Sequence, residues 1–299
     1  MKLFLNSIKL LRPAQWMKNL FIFLPAFFGA KLLNLESIQH CLLAFIGFSF
    51  VASSIYSFND IIDCQLDKLH PTKKNRPIAS GDLSKNQGFI IMAISLIIGF
   101  GILFLGKAQW QVIMTISFYY LLNILYTLKL KKYALIDVTI IATGFIFRLL
   151  VGSFAGDVVL SDWIIIMTFL LALFLAIAKR RDEFMKYNET GVFYRKHLPN
   201  YNKQFLELIL SILGTIIIIA YLNYTLSSSA ISNVSDKLYF TTVFVMLGIF
   251  RFLQITVVYN RSGDPTSILL KDRVIQLCIL AWSVFFALFL YVIPKSIIN

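Results

Sequence analysis

Runs of about twenty apolar residues recur along the whole 299-residue chain, and this pattern limits its fold more than any other feature. A helix needs about 20 apolar residues to cross the hydrocarbon core of a bilayer. Inside lipid every backbone N–H and C=O group must be satisfied within the protein, which favours helices. The mean hydropathy of +0.76 agrees with such a chain. The sequence therefore predicts an all-α integral membrane protein.

The apolar runs predict a bundle of about nine transmembrane helices. The first is the weakest, because Pro25 interrupts it. Since no linker or change of composition divides the chain, residues 1–299 are interpreted as a single transmembrane domain. The predicted spans are 16–33, 39–60, 87–106, 110–128, 135–155, 162–179, 204–226, 238–258 and 274–293.

The basic residues predict how the chain is oriented in the membrane. With the amino terminus inside, 22 of the 28 lysines and arginines fall in inner segments and 4 in outer segments. Cytoplasmic loops carry this excess. We therefore expect a multi-pass protein of the inner (plasma) membrane, with a cytoplasmic amino terminus and an outer carboxyl terminus. This bias, together with attraction to anionic lipid, explains the net charge of +13, so no nucleic acid is expected as a partner.

Several common features are not predicted. The three cysteines are scattered without metal or redox spacing, and the three histidines do not cluster, so neither zinc nor a disulfide is expected. Lys9, Arg12 and Pro13 interrupt the early apolar residues, which argues against a cleavable signal peptide. The segment 2–11 is compatible instead with a helix lying flat in the interface.

Three acids lie at the inner end of the second span. Asn59, Asp63 and Asp67 repeat every four residues and so share one helix face, with Asp60 beside them. Carboxylates at the carboxyl end of a helix repel one another and oppose its dipole. A hard divalent cation with oxygen ligands would offset that repulsion.

Bases follow the acids directly. Lys73, Lys74 and Arg76 are suited to phosphate oxygens, and Gly81 closes the short loop in which they lie. Acids for a metal and bases for phosphate together indicate a metal–diphosphate site at the membrane surface. The alternative is an ordinary solvated loop. The alignment of the acids and their proximity to the bilayer favour a functional site.

Basic and aromatic residues also flank other spans. Arg12, Trp16 and Lys18 precede the first span and alone would be interpreted as an interfacial belt. Tyr126 lies near the inner end of span four, just before Lys131. A basic run at that position usually marks topology only.

Arg148 lies within the fifth span, eleven residues after Asp137. An arginine at that depth needs a partner or a water-filled cavity. The two residues lie about 16 Å apart along a helix, so Asp137 cannot be that partner. A structural tie between helices and a functional role are equally compatible with the pattern.

The foot of span six carries A-K-R-R-D-E-F. Helical spacing would allow Lys179, Arg180 and Glu183 to face the same cavity as the acid cluster. The inner segment that follows could form a lid over that cavity or an ordinary solvated loop.

These motifs together resemble the UbiA-type membrane prenyltransferase superfamily. Asn59, Asp63 and Asp67, followed by T-K-K-N-R-P-I-A-S-G at 72–81, are similar to its first aspartate motif. The match is closer to one branch, the decaprenyl-phosphate (polyprenyl-phosphate) phosphoribosyltransferases, and runs from R-P-A-Q-W-M-K-N at 12–19 to about Tyr201. Further matching residues are Tyr126, Lys131, Asp137, Gly144, Arg148, Lys179, Arg180, Glu183, Arg195 and Leu198.

The resemblance implies an Mg²⁺-dependent enzyme with its active site at the cytoplasmic face. It would transfer 5-phosphoribose from phosphoribosyl diphosphate to a polyprenyl phosphate for cell-envelope glycan synthesis. The resemblance assigns Asn59, Asp63 and Asp67 to the metal, and Asp60, Asp63 and Asp67 to catalysis. The implied substrate-binding residues are Lys18, Arg76, Tyr126, Lys131, Asp137, Arg148, Lys179, Arg180 and Glu183.

Two other functions remain open at this point. Prenyl transfer from a polyprenyl diphosphate to an aromatic or quinone precursor also fits the superfamily. Those enzymes usually carry a second D-x3-D motif after span six, where this chain has only Asp182 and Glu183 side by side. An anion or lipid transporter would need polar groups across the spans, and only Arg148 and Arg251 are charged within them.

Overall fold

The computed structural model describes residues 2–69, 72–190, 200–260, 268 and 271–292. All regular structure in these residues is helical. His70 and Pro71, together with Arg195 and Leu198 from the sequence motifs, lie outside the described residues. The α-helices are α1 Lys2–Leu11, α2 Leu24–Phe28, α3 Leu35–Leu69, α4 Lys85–Leu105, α5 Trp110–Leu128, α6 Ile136–Gly156, α7 Asp162–Thr190, α8 Lys203–Thr225, α9 Ser228–Asn233, α10 Thr242–Leu253 and α11 Arg273–Ala287.

Tighter and wider helical turns join these elements. The 3₁₀ segments are Pro13–Phe23, Lys73–Asn75, Leu130–Lys132 and Leu238–Thr241, and π-helical turns at Gln254–Val258 and Leu288–Val292 extend α10 and α11. With the 3₁₀ segment Leu238–Thr241 before α10 and the π-turns after α10 and α11, the two continuous helices run over Leu238–Val258 and Arg273–Val292, long enough to cross a membrane.

Eight helices in the described residues are long and apolar enough to span a bilayer, and they match the second to ninth predicted spans. The first predicted span, 16–33, differs from the prediction. It consists of the 3₁₀ helix Pro13–Phe23 followed by the five-residue helix α2. Pro25 lies in the first turn of α2, where its missing N–H costs least. The all-α membrane fold is confirmed, and the predicted orientation stays a prediction.

The chain divides into two compact units, Met1–Leu160 and Ser161–Asn299. The interpretation of 1–299 as one domain stays a prediction. In the first unit, α3 packs against α4, α5, α6 and the 3₁₀ segment Pro13–Phe23. Its apolar core contains Phe48, Ile55, Ile116, Tyr119 and Val151, all buried.

Close helix approach in the first unit depends on glycine. A Cβ atom on Gly99 would lie 2.9 Å from the carbonyl oxygen of Gly47, so α3 and α4 meet backbone to backbone there. A Cβ on Gly152 would lie 1.9 Å from the carbonyl oxygen of Ile22. The 3₁₀ segment is therefore seated directly on α6.

Helix α3 is 35 residues long. At a rise of about 1.5 Å per residue it measures about 50 Å, well beyond the hydrocarbon core of about 30 Å. Its carboxyl end, which carries the acid cluster, therefore extends past the apolar layer. The loop that follows leads into α4 through a capping box, in which Ser84 and Gln87 accept hydrogen bonds from each other's backbone N–H groups.

A small apolar cluster fixes this end of α3. Leu10 of α1, Ile61 and Cys64 of α3, and Ile78 and Leu83 of the loop are all buried against one another. The loop turns at Gly81, whose φ of +85° favours glycine. The cluster therefore holds α1 and the loop on the turn of α3 that carries the acids.

The second unit packs α7 against α8, and α8 and α11 against α10. The rings of Phe174 of α7 and Phe252 of α10 contact each other at a tilted angle with their centroids 5.1 Å apart, and both are buried. Trp282 of α11 donates a hydrogen bond from its indole nitrogen to the Tyr221 hydroxyl of α8 at 2.7 Å. Four helices are thus joined by aromatic contacts.

Candidate active site

The acid cluster occupies the last three turns of α3. Asp60 and Asp67 are buried, with side chains 2% and 6% exposed, whereas the Asp63 side chain is 27% exposed. Because the helix is unbroken to Leu69, Asn59, Asp63 and Asp67 follow one face, as the spacing predicts. Buried carboxylates need partners, and each acid here has at least one basic partner from another segment.

Arg76 bridges two of the acids. Its Nη1 donates to Asp60 Oδ1 at 2.9 Å and to Asp67 Oδ2 at 2.6 Å. The 3₁₀ turn Lys73–Asn75 and the backbone bond from Ser80 N to Arg76 O shape the loop that delivers it. The guanidinium ties the loop to two carboxylates that lie about two turns apart on α3.

Arg12 is the second partner of Asp60. Its Nη2 donates to Asp60 Oδ1, the same oxygen that Arg76 uses, and its guanidinium lies 5.5 Å from the centre of the Tyr56 ring. Burial lowers the pKa of the Arg12 guanidinium, and the neighbouring Asp60 partly offsets that shift. Asp60 Oδ2 is buried and accepts no hydrogen bond from the described residues. Two guanidiniums thus share one oxygen of this carboxylate.

The chain around Arg12 is held in a defined turn. Arg12 has a φ of +53°, in the left-handed region, between α1 and the 3₁₀ segment. Trp16 Nε1 donates to Ser53 Oγ at 2.9 Å, and Ser53 Oγ donates to Leu11 O at 2.8 Å. A relay from Trp16 through Ser53 to Leu11 therefore fastens both sides of the turn to α3.

Helix α5 and the 3₁₀ turn behind it supply the remaining contacts. Lys131 Nζ donates to Asp63 Oδ1 at 2.5 Å. The Thr127 hydroxyl lies 2.9 Å from Asn59 Oδ1 and 2.8 Å from Asn123 O, within hydrogen-bonding distance of both. The amide oxygen of Asn59 is thereby oriented on the same face as Asp63.

The cluster balances three acids with three bases. Asp60, Asp63 and Asp67 face Arg12, Arg76 and Lys131. The repulsion that we expected a metal to offset is offset here by the protein's own side chains.

The donor atoms nevertheless suit Mg²⁺. Within the described residues no three His, Cys, Asp or Glu side chains form a ready-made metal cage. Mg²⁺ is commonly held by one or two carboxylates together with substrate phosphates, and Asn59, Asp63 and Asp67 offer hard oxygen donors on one face. The residues therefore fit a site that a phosphate ligand completes.

Arg148 forms hydrogen bonds with polar groups of the first unit. Its Nε donates to Asn19 Oδ1 at 2.8 Å, its Nη1 to Gly144 O at 2.6 Å, and its Nη2 lies 3.3 Å from the Tyr119 hydroxyl. The guanidinium also lies 5.0 to 5.3 Å from the ring centres of Phe48, Phe145 and Tyr119. These contacts join α3, α5, α6 and the 3₁₀ segment. The structural tie predicted as one alternative is present, and substrate binding by Arg148 stays a prediction.

Three further predicted residues lie in the first unit. Lys18 is half-buried on the 3₁₀ segment, Tyr126 is half-buried on α5, and Asp137 is fully buried in the first turn of α6. Tyr126 directly precedes Thr127, the residue that contacts Asn59. Their assignment to substrate stays a prediction.

The predicted residues of the second unit lie on α7. Lys179 is half-buried, and the fully buried Arg180 pairs with Glu183 one turn later. Asp182 accepts a hydrogen bond from Lys186 at 2.7 Å. Both acids of the K-R-R-D-E sequence thus pair with bases of their own helix. Their predicted approach to the acid cluster stays a prediction.

Three residues that matter here were not assigned to a site from the sequence. Arg12 had been interpreted as part of an interfacial belt, and Thr127 and Arg181 were not singled out. Charge balance was the available signal for Arg12, since three acids on one buried helix end require three cations. Arg181, fully buried on α7, had no such signal, because its partner Glu207 lies 26 residues away on α8.

Comparisons with known proteins agree with this fold. The family model for the UbiA prenyltransferase family matches residues 20–275. The chain is 30% identical to a decaprenyl-phosphate phosphoribosyltransferase of Corynebacterium glutamicum over 97% of this chain and 88% of that protein. It is 26% identical to the Mycobacterium tuberculosis protein of the same name over 92% and 91% of the two chains.

A solved structure has the same architecture. The structure of a UbiA homolog from Archaeoglobus fulgidus bound to DMAPP and Mg²⁺ superimposes with a TM-score of 0.71 at 16% identity. The match covers 96% of this chain and all of the other. The family model, the fold and the acid cluster at the end of α3 lead to one conclusion: the chain is a multi-pass membrane transferase and belongs to the UbiA prenyltransferase family.

Proposed function

We propose that this protein transfers 5-phosphoribose from phosphoribosyl diphosphate to the phosphate of a polyprenyl lipid. The observation that carries the proposal is the cluster of three acids and three bases at the end of α3, which presents donors for a metal and for phosphate together. The relatives from Corynebacterium glutamicum and Mycobacterium tuberculosis match most of this chain and are named for this activity.

In the proposed reaction an oxygen of the lipid phosphate attacks C1 of the ribose. The bond from C1 to the diphosphate oxygen breaks, and diphosphate leaves with the electron pair. The products are polyprenyl-phosphoryl-5-phosphoribose and diphosphate. The lipid phosphate is already an anion and a competent nucleophile, so this step requires no strong general base.

The acids of α3 would orient the donor and stabilise positive charge on the ribose. Asn59, Asp63 and Asp67 would hold Mg²⁺, which neutralises charge on the leaving diphosphate when bound. As the C1–O bond lengthens, the ribose gains oxocarbenium character, which nearby carboxylates stabilise. Asp60 would support this face from its buried position beside Arg12 and Arg76.

The bases would bind the phosphate groups of both substrates. Arg76 and Lys131 contact the acids directly and are the first candidates for the donor diphosphate. Lys18, Lys179 and Arg180 are candidates for the 5-phosphate and the lipid phosphate. Tyr126, Asp137, Arg148 and Glu183 complete the proposed binding set.

The second unit supports phosphoribosyl transfer over prenyl transfer. A prenyl diphosphate bridged between two acid clusters would require carboxylates on α7 that are available to a metal. Asp182 and Glu183 are instead adjacent in sequence, without the D-x3-D spacing that would place two carboxylates on one helix face, and they lie among Lys179, Arg180, Arg181 and Lys186. A donor with an additional phosphate suits this lysine- and arginine-rich segment better.

The membrane location follows from the lipid substrate. The spans would place the acid cluster at the cytoplasmic face of the inner membrane, where a soluble sugar donor and a lipid phosphate can meet. The excess of inner lysines and arginines would also attract both anionic substrates.

One assay tests the proposal. Purified protein in detergent is incubated with Mg²⁺, labelled phosphoribosyl diphosphate and polyprenyl phosphate, and the lipid phase is followed for label. We expect labelled lipid to form only when both substrates and Mg²⁺ are present. Absence of label, with turnover of a prenyl diphosphate and an aromatic acid instead, would establish prenyl transfer and overturn the proposal.

A further inference from the structure

Asp60 differs from Asp63 and Asp67 because two arginines donate hydrogen bonds to it. Its Oδ1 accepts hydrogen bonds from both Arg12 and Arg76, whereas its Oδ2 is buried and accepts none from the described residues. Asp63 is bonded by Lys131, and Asp67 by Arg76. Arg76 therefore contacts two carboxylates, and Asp60 contacts two guanidinium groups.

Binding of a metal–diphosphate, an event that rests on the proposed function, would break some of these ion pairs. A divalent cation on Asp63 and Asp67 would displace Lys131 and Arg76 from those carboxylates. The same two bases would then be available for phosphate oxygens, which form strong charge-assisted hydrogen bonds with arginine and lysine. Arg76 can move only if Asp60 is not left as an unpaired buried anion, which is costly.

Arg12 removes this obstacle. Its guanidinium already contacts Asp60 and is held there by the Tyr56 ring and by the turn that Trp16 and Ser53 fasten to α3. Because Asp60 Oδ2 accepts no hydrogen bond from the part of the chain that the structure describes, a rotation would let Arg12 take both carboxylate oxygens in a bidentate pair. Asp60 would then stay neutralised while Arg76 leaves.

We propose that Arg12 is a positioning residue, the permanent counter-ion of Asp60 that releases Arg76 to bind the diphosphate of the donor. Arg12 acts through Asp60 and Arg76 and has no contact with substrate in this role. Without Arg12, Arg76 is retained on Asp60, and the diphosphate loses one of its bases.

The test is binding of inorganic diphosphate at saturating Mg²⁺, measured by isothermal titration calorimetry. Mg²⁺ is kept saturating so that altered metal affinity does not enter the comparison. For Arg12→Gln we expect the diphosphate Kd to rise about tenfold. Lys9→Gln is the matched control, since it removes an exposed positive charge from the last turn of α1, just before Arg12, and its Kd should equal that of the wild type.

Two further variants separate positioning from general structural support. Arg12→Lys keeps the charge but loses the bidentate geometry, so its Kd should rise about threefold. In Arg12→Gln/Asp60→Asn the buried anion is gone and Arg76 is released, so the Kd should return to within about threefold of the wild type. A residue with a merely structural role would give a double variant that binds no better than Arg12→Gln.

The outcomes are distinct. If the wild type does not bind diphosphate with Mg²⁺, the proposed function fails. If the wild type binds and Arg12→Gln binds equally well, the role of Arg12 is overturned and the proposed function stands. Should Arg12→Gln not fold, Arg12→Lys decides, and a Kd equal to that of the wild type overturns the role of Arg12.

Discussion

Two buried ionic groups, one in each unit, use arginine in opposite ways. In the second unit, the fully buried Arg181 donates to Glu207 Oε1 at 2.5 and 2.9 Å, to Thr256 O at 2.6 Å and to Asn260 Oδ1 at 2.9 Å. All three nitrogens of that guanidinium donate to protein oxygens, and its one carboxylate partner is Glu207 among the described residues. In the first unit, Arg76 divides one nitrogen between two carboxylates, and Asp60 shares one oxygen between two guanidiniums.

The difference teaches how to separate a structural ion pair from a functional one. In the Arg181 network all three guanidinium nitrogens already donate to protein oxygens, and breaking it leaves a buried charge unpaired. In the α3 cluster one arginine contacts two carboxylates and one carboxylate contacts two arginines, so partners can exchange when a charged ligand arrives. We therefore expect variants in the first unit to change binding and turnover, and variants around Arg181 to change stability.

Asp63→Asn, in the first unit, should have the largest effect of the variants considered, and that effect should be on turnover. It removes a proposed metal ligand and the partner of Lys131, so turnover of phosphoribosyl diphosphate should fall about 10²–10³-fold. The thermal midpoint of the protein should change little, because the Asp63 side chain is 27% exposed. Asp157→Asn, on an acid whose side chain is 92% exposed, is the control and should keep full activity. Retained activity in Asp63→Asn would remove this residue from the metal site.

Arg181→Gln should show the opposite behaviour. It leaves Glu207 and the carbonyl oxygen of Thr256 without their cation, and the free energy of unfolding should fall by about 3 kcal/mol. Thermal unfolding in detergent measures this loss. The donor KM of the remaining folded enzyme should match that of the wild type. A raised KM with unchanged stability would show that the network binds substrate.

Lys131→Ala should weaken donor binding. The lysine is replaced by a side chain that cannot bind phosphate, so the donor KM should rise about tenfold, with a smaller effect on kcat. Steady-state kinetics with varied phosphoribosyl diphosphate provide the measurement. Lys132→Ala, at the exposed neighbouring position, is the control. An unchanged KM in Lys131→Ala would refute this role.

The smallest effect is expected for a partly exposed pair in the second unit. Arg251 Nη2 lies 2.8 Å from Asp272 Oδ2, and its hydrogen bonds lower the pKa of Asp272. A carboxyl group whose folded pKa is depressed stabilises the protein above its unfolded pKa of about 3.9 and loses that contribution as the pH falls. The thermal midpoint of the wild type should therefore exceed that of Asp272→Asn near neutral pH. The difference should shrink on acidification below about pH 4, and a constant difference would contradict the assignment.

Much of the fold could be predicted because membrane helices leave a local signal. The apolar runs predicted eight helices that the structure contains. The first span was predicted as one helix and is instead a 3₁₀ segment followed by α2. Composition cannot distinguish a 3₁₀ helix from an α-helix, and the close contact of Ile22 with Gly152 depends on tertiary packing.

The candidate site could be predicted in part. The acids of α3 were found because their spacing lies within one helix, and Arg76 because it follows closely in sequence. The partners Arg12, Thr127 and Lys131 lie 48 to 68 residues from the α3 residues that they contact. Pairing at such distances depends on tertiary packing, which a single sequence does not display. Lys131 was assigned through the family resemblance, whereas Arg12, although it begins the matching sequence at 12–19, was not assigned to the site.

The most direct test of the account is whether metal and diphosphate bind together on α3. Mn²⁺ can replace Mg²⁺ as a hard ion with oxygen ligands, and electron paramagnetic resonance distinguishes bound from free Mn²⁺. We predict that the wild type and Arg181→Gln bind Mn²⁺ much more tightly when inorganic diphosphate is present, and that Asp63→Asn and Asp67→Asn lose this binding. Equal Mn²⁺ binding by the wild type, Asp63→Asn and Asp67→Asn would contradict the account.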